Sequence, residues 1–383
     1  DPREFSQHQY GFTIGGSFIK DKLFYFGALD TQQGDTTKQF DPGRIDPDIV
    51  AFMSSQGLPD ENAPITRGDD ADAYLAKLDY QINDSNLITG RWAYHYSNQE
   101  NGTFDVNSWG SSANAIEKDY AHGYTVNLLS TINSRMLNEF RGQYAKEWRP
   151  RPYGGPQVPG QDRPFPDTGF NFVDSYRGGM PFFIPVEYDD DRVQLVNNFS
   201  YLMGDHSLKA GIEWNDVTSS QTFIGFANGR YIFNSFDSFQ SYVANPSYIE
   251  CSDGSSNNSG SCPNGTNPTG PVLLYLQFAG VGGLTPEQAG TQDIVQKELS
   301  LFIQDQWQPM PNLTLEYGLR WEGLDMPDPI TPPDQVFFSD FIGQTVTNET
   351  GTYTFPSDGT IPDDKDQWQP RLALAWTPKD KTD

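Results

Sequence analysis

Apolar and polar residues alternate with a period of two through most of this chain, and the alternating stretches come in pairs joined by very short turns. In residues 74–82, Tyr74, Ala76, Leu78, Tyr80 and Ile82 fall on one side, and Lys77, Asp79 and Gln81 on the other. Such a period fits a β-strand, whose successive side chains point to opposite faces. After Asn83-Asp84-Ser85-Asn86 the next stretch again separates Ile88, Trp92, Tyr94 and Tyr96 from Thr89, Arg91 and His95. The pair reads as a hairpin with one apolar and one polar face.

The same unit recurs with different residues. Strands at 9–16 and 23–31 flank Lys20-Asp21-Lys22, and strands at 120–130 and 136–149 flank Ile132-Asn133-Ser134. Strands at 192–202 and 207–217 flank Met203-Gly204-Asp205-His206. Those at 298–308 and 313–322 flank Pro309-Met310-Pro311-Asn312. A last strand, 368–376, sorts Leu372, Leu374 and Trp376 from Gln369 and Arg371 before the turn residues Pro378-Lys379-Asp380-Lys381. This predicts about 11 strands of roughly 8 to 14 residues. Between hairpins run long polar connections, at about 32–72, 98–118, 150–191, 218–297 and 323–367. Several structureless loops of such length argue against an ordinary soluble domain. Tight turns alternating with long loops are instead the layout of a transmembrane antiparallel β-barrel, with turns periplasmic and loops extracellular. The all-β chain is therefore expected in the bacterial outer membrane. Tryptophan placement agrees: Trp148, Trp214 and Trp321 fall near the outer strand ends and Trp307 and Trp376 near the inner ends, where indoles gather at the two interfaces.

Composition excludes several other classes. Aromatic residues make up 14% of the 383 residues, yet mean hydropathy is −0.62, so no long apolar run accompanies them. The most apolar stretch, 271–280, is far shorter than the roughly 20 residues of a spanning helix. A formal net charge of −26 argues against nucleic acid as a partner, since phosphate binding needs clustered Lys and Arg. Neither a Walker A loop nor a GxSxG elbow is present, and His8, His95, His122 and His206 show no metal-binding spacing. No catalytic residue, metal or cofactor is expected. An outer-membrane hydrolase would need a Ser/His pair at the rim, for which His122 has no marked serine. Acidic runs at Asp69-Asp70-Ala71-Asp72, Asp189-Asp190-Asp191 and Asp363-Asp364 are read as solvated loop charge, without EF-hand spacing. Cys251 and Cys262, the only cysteines, bracket a Ser/Gly/Asn-rich segment and are expected to form a loop disulfide.

Charged side chains crowd one face of the strands. In the dry core of a closed soluble barrel each would cost several kcal/mol unless paired; in a lumen holding water or a plug they cost little. The apolar, aromatic face is therefore assigned to lipid. Lys77, Asp79, Arg91, Glu139, Arg141, Lys209, Glu213, Glu316 and Arg320 are assigned to the lumen. A soluble sandwich with these charges in bulk water is the competing reading.

Three motifs, in order along the chain, resemble a known family. Tyr10-Gly11-Phe12-Thr13-Ile14-Gly15-Gly16 with Ile19-Lys20-Asp21-Lys22-Leu23-Phe24-Tyr25-Phe26-Gly27 resembles the early barrel hairpin of Oar-like TonB-dependent receptors. Residues 301–307 (LFIQDQW) with 311–322 (PNLTLEYGLRWE), and 369–376 (QPRLALAW), resemble that family's later strands. The resemblance implies a barrel of about 22 strands closed by an N-terminal plug, and uptake of a scarce solute driven through TonB. On that pattern residues 1–383 are the N-terminal half of the barrel domain, with plug, TonB box and C-terminal strands lying outside this sequence. Its partners are then outer-membrane lipid, the rest of its own barrel and plug, TonB, and an extracellular or lipoprotein partner at the loops. A structural or adhesive barrel presenting the same loops is the alternative.

Overall fold

The computed structural model describes residues 5–38, 41, 43–101, 108–171, 176–275, 283–329, 332–335, 339–355 and 359–378. Eleven long strands form one sheet: β1 (Phe5–Ile19), β2 (Leu23–Lys38), β3 (Ile65–Asn83), β4 (Asn86–Glu100), β5 (Ile116–Asn133), β6 (Met136–Arg151), β7 (Val186–Met203), β8 (His206–Phe223), β9 (Thr291–Met310), β10 (Leu313–Asp325) and β11 (Asp364–Trp376). Each strand pairs antiparallel with the next in sequence, and β1 and β11 stand at opposite edges. Every second connection is a tight turn. In the first of these, Asp21 adopts a positive φ of 56°, a conformation that Asp tolerates better than most residues.

The strands are longer than the alternation alone predicted. They run from 13 residues in β10 and β11 to 20 in β9. Twenty residues extend about 66 Å at ~3.3 Å each, well beyond an apolar band about 25 Å tall, so the sheet continues as a wet skirt above the membrane. Two acidic runs assigned to loops lie in that skirt. Asp69, Asp70 and Asp72 belong to β3 and Asp189, Asp190 and Asp191 to β7. Charge on both faces hides the period-2 signal, and the neighbouring strand supplies what holds it. Lys146 of β6 lies 2.7 Å from Asp189 and 3.2 Å from Asp191, and Arg149 lies 2.9 Å from Asp190. The third run sits at the start of β11, where Asp363 and Lys365 are 3.0 Å apart.

The wall itself has almost no apolar interior. Phe12 (59% exposed), Leu78 (49%) and Leu372 (82%) typify a row of large side chains left open along the strands, far more than a water-soluble surface carries. The packed core lies in the loops. Helix α1 (Pro47–Ser55), opened by Pro47 and capped by Asp46, buries Ile49 and Met53. Helix α2 (Phe236–Ala244), capped by Ser235, buries Phe239. These residues pack with Ile45, Leu58, Phe170, Tyr176 and Phe233, which come from three different connections. A four-stranded sheet, ordered Val272–Tyr275, Arg230–Phe233, Asp167–Phe170, Tyr176–Gly178, ties two of these connections together. The loops thus fold on one another as a cap. Cys251 and Cys262 form a disulfide with Cα atoms 5.8 Å apart, beside a small sheet of Ile249–Cys251, Ser256–Asn257 and Pro268–Gly270. The apolar run 272–284 is covered only in part. Val272 packs on the cap core, but Leu273, Leu274 and Leu284 remain 42 to 49% exposed. Pairing of four residues at a sheet edge covers only one side of them. Residues 276–282 of that run lie outside the described ones, as does most of the turn 378–381.

Candidate binding face and loop cap

Strand register decides which side chains share a face, because residues paired across an antiparallel ladder point the same way. Lys77 pairs with Arg91, Arg91 with Thr125, Thr125 with Gln143 and Gln143 with Gln194. The row continues from Gln194 to Asn215 and on to Glu298. Ser300, two residues after Glu298, pairs with Glu322. Stepping by two along each strand from these residues reaches Asp79, Glu139, Arg141, Lys209, Glu213, Arg320 and Glu316. All nine residues assigned to the lumen therefore share one face. The other face carries Tyr74, Leu78, Trp92, Tyr94, Tyr144, Ile212, Leu319 and Leu372.

The polar face is concave. One hollow of about 510 Å³ touches seven consecutive strands, from Phe5 and Gln7 on β1 to Tyr188 on β7, which a flat sheet could not produce. Side chains two strands apart also converge on this face. Arg320 on β10 reaches Glu213 on β8 at 3.5 Å while holding Glu322 at 2.6 Å, passing above Ser300 of β9, which is buried. Gln194 donates to Glu213 at 2.6 Å and Gln369 to Glu322 at 2.7 Å, so one belt of polar contacts crosses β7 to β11. Lys77 and Asp79 are 2.8 Å apart, and Arg141 and Glu139 3.8 Å. Among the described residues Arg91, Lys209 and Glu316 make no ion pair, which leaves them to whatever fills the concavity.

The convex face holds a belt of aromatic rings across β3 to β6. Tyr74 and Tyr94 have centroids 5.8 Å apart, Tyr94 and His122 4.6 Å, and Tyr120 and Trp148 5.0 Å. His122, the one histidine weighed for a rim site, is a member of this belt. Below the skirt, this face carries a polar island that the alternation did not reveal. Asp305, nested in β9 near the turn to β10, accepts from the Tyr317 hydroxyl at 2.7 Å and lies 2.6 Å from His206 Nδ1. His206 in turn stacks on Trp307 at 5.5 Å.

A second built site sits in the cap, and no sequence motif marked it. Asp167, 1% exposed, binds Arg177 through both carboxylate oxygens, and Arg177 lies over Trp109 and Phe182. Nearby, Glu61 is fully buried. Ser112 N–H donates to its Oε2 at 3.0 Å. Gly110 is required beside it, since a Cβ there would fall 1.8 Å from Glu61 Oε2. Burial pushes the Glu61 carboxyl above the usual carboxylate range, outweighing its hydrogen bonds and the nearby Arg44. Burial likewise raises the Tyr176 and Tyr153 hydroxyls.

The wall is thus curved and antiparallel, polar within and aromatic without, and its long loops cap it. Residues 30–382 match the family model described as the outer membrane beta barrel domain. The chain belongs to that family. Comparison with curated proteins returned no match. Among solved structures, this barrel is similar to the outer membrane transporter YddB from Escherichia coli, at 10% identity and a TM-score of 0.50 over 84% of this chain and 35% of that one. It is also similar to the ferripyoverdine receptor of the outer membrane of Pseudomonas aeruginosa, at 9% identity and 0.51 over 99% and 40%. Likenesses at such identity concern the fold. The chain spans well under half the length of these relatives.

Proposed function

We propose that this barrel wall belongs to an Oar-like TonB-dependent transporter, in which the concave face lines a plugged lumen and the capped loops meet a scarce solute. Residues 1–383 are then the N-terminal half of a barrel of about 22 strands. The observation that carries the reading is the sorting of faces. Nine charged residues from four hairpins converge on the concave side, where a plug or water can satisfy them, while the convex side is aromatic and aliphatic. The motifs of residues 10–27, 301–322 and 369–376 and the likeness to the ferripyoverdine receptor support it. The intact protein should bind a purified periplasmic domain of TonB, and accumulation of its solute should stop when an uncoupler collapses the proton gradient. The folded cap, with a hydrophobic core of its own, favours a second reading as a structural or adhesive barrel. In that case TonB binding is absent and cell attachment falls when the cap is removed.

A further inference from the structure

Three long loops meet at one carboxyl. Glu61 comes from the first, Ser111 and Ser112 from the second, and Tyr153 and Tyr176 from the third. Its surroundings bind the loops together through backbone: Ser111 N–H donates to the Glu61 carbonyl at 3.1 Å, Gly110 N–H to the Arg177 carbonyl at 2.7 Å, and Gly179 N–H to Ser112 Oγ at 2.8 Å. The Tyr153 hydroxyl donates to the Ser112 carbonyl at 2.9 Å. The carboxyl itself is poorly provided for as an anion. Oε2 accepts from the Ser112 N–H, and the other donors about the carboxyl are the neutral hydroxyls of Ser112 and Tyr176.

The charges facing Glu61 are few on every side. From its own segment come Asp60, a like charge, and Arg44, whose Nη2 donates to the Glu61 carbonyl at 2.8 Å. Residues 108–115 of the second loop hold no titratable side chain. The third loop offers Tyr153, Tyr176 and Arg177, whose guanidinium is held by Asp167. A buried carboxylate met by neutral donors is costly because its charge is stripped of water, whereas the neutral acid carries no charge to desolvate and can itself donate to a hydroxyl.

We propose that Glu61 is a proton-operated latch of the cap: protonated, it holds the first three loops closed, and on ionisation it releases them. The linkage has a definite sign. Burial raises the carboxyl pKa in the closed cap, so the closed form binds a proton more tightly than an open form in which Glu61 meets water. Closure is fully favoured below the ordinary carboxylate pKa. It is lost as pH rises toward the raised value, by up to tenfold per pH unit within that window. Raising the pH through that window loosens the cap, and lowering it tightens the cap. The inference concerns the loops alone and stands whatever solute the barrel handles.

Hydrogen exchange of the intact protein in nanodiscs at pH 5 and pH 8, corrected for intrinsic exchange rates, tests it through peptides covering 45–62, 108–116 and 176–184. Wild-type peptides should open at least tenfold more at pH 8. Glu61→Gln, a neutral isostere, should keep the cap closed at both pH values, and Glu61→Ala should open it at both, while β9 and β10 peptides stay unchanged. Equal wild-type protection at the two pH values would overturn the latch, as would a Glu61→Gln cap as open as that of Glu61→Ala. The wild-type comparison alone decides if either variant fails to assemble.

Discussion

At the level of single residues, facing makes sharp claims. Leu319, paired with Ile303 on the convex face, should not accept a charge. Leu319→Arg is expected to destabilise the barrel by about 2 to 4 kcal/mol and hinder assembly, whereas Glu316→Arg, on the concave face, should assemble normally. Band intensity of the folded species on unheated gels measures both. Tyr317→Arg should be milder than Leu319→Arg although the two share a face, because Asp305 waits 2.7 Å from the Tyr317 hydroxyl. In the cap, Asp167→Ala leaves Arg177 without its carboxylate in a mostly buried place. Losing one member of such a pair costs about 3 to 5 kcal/mol. Limited proteolysis should then cut the segment 152–185 faster while the strands remain protected.

Among the elements, the hairpins were legible and their ends were not. Alternation between Lys77 or Glu316 and their apolar neighbours survives because lipid demands one dry face. Above the membrane that demand lapses, and runs such as Asp189-Asp190-Asp191 pair as strand with no hydrophobic signature. The capping helices were illegible for a related reason: nine residues in α1 and nine in α2 are too short to show a convincing 3.6-residue period beside so many loop residues. The disulfide element offers a separate test. It closes a loop with a sequence separation of 11, for which chain-entropy estimates give about 3 kcal/mol of local stabilisation. Replacing both cysteines by serine should expose residues 252–261 to protease, leaving barrel assembly unaltered.

For the molecule as a whole, the open edges of β1 and β11 govern behaviour. Among the described residues each presents unpaired N–H and C=O groups, which in hydrocarbon cost several kcal/mol apiece. A polypeptide of residues 1–383 made alone should fail to give the heat-modifiable gel migration of a closed barrel, and should give it only when further strands pair with both edges. Migration of the isolated polypeptide as a stable closed monomer would contradict this.

By itself the sequence determined the strand class, the alternation of turns and loops, the two faces and their chemical contrast. These are local properties, carried by a two-residue period and by the need to match side chains to lipid or water at every step. Tertiary structure alone decided the curvature that brings Arg320 to Glu213 across β9, the polar island at Asp305, and the meeting of Glu61, Ser112 and Tyr176. Apart from Tyr317 and Asp305, which are 12 positions apart, those contacts join residues 51 to 115 positions apart, and no local pattern encodes them. They arise when paired strands bring the loop ends side by side and the loops bury what the lipid-facing wall cannot.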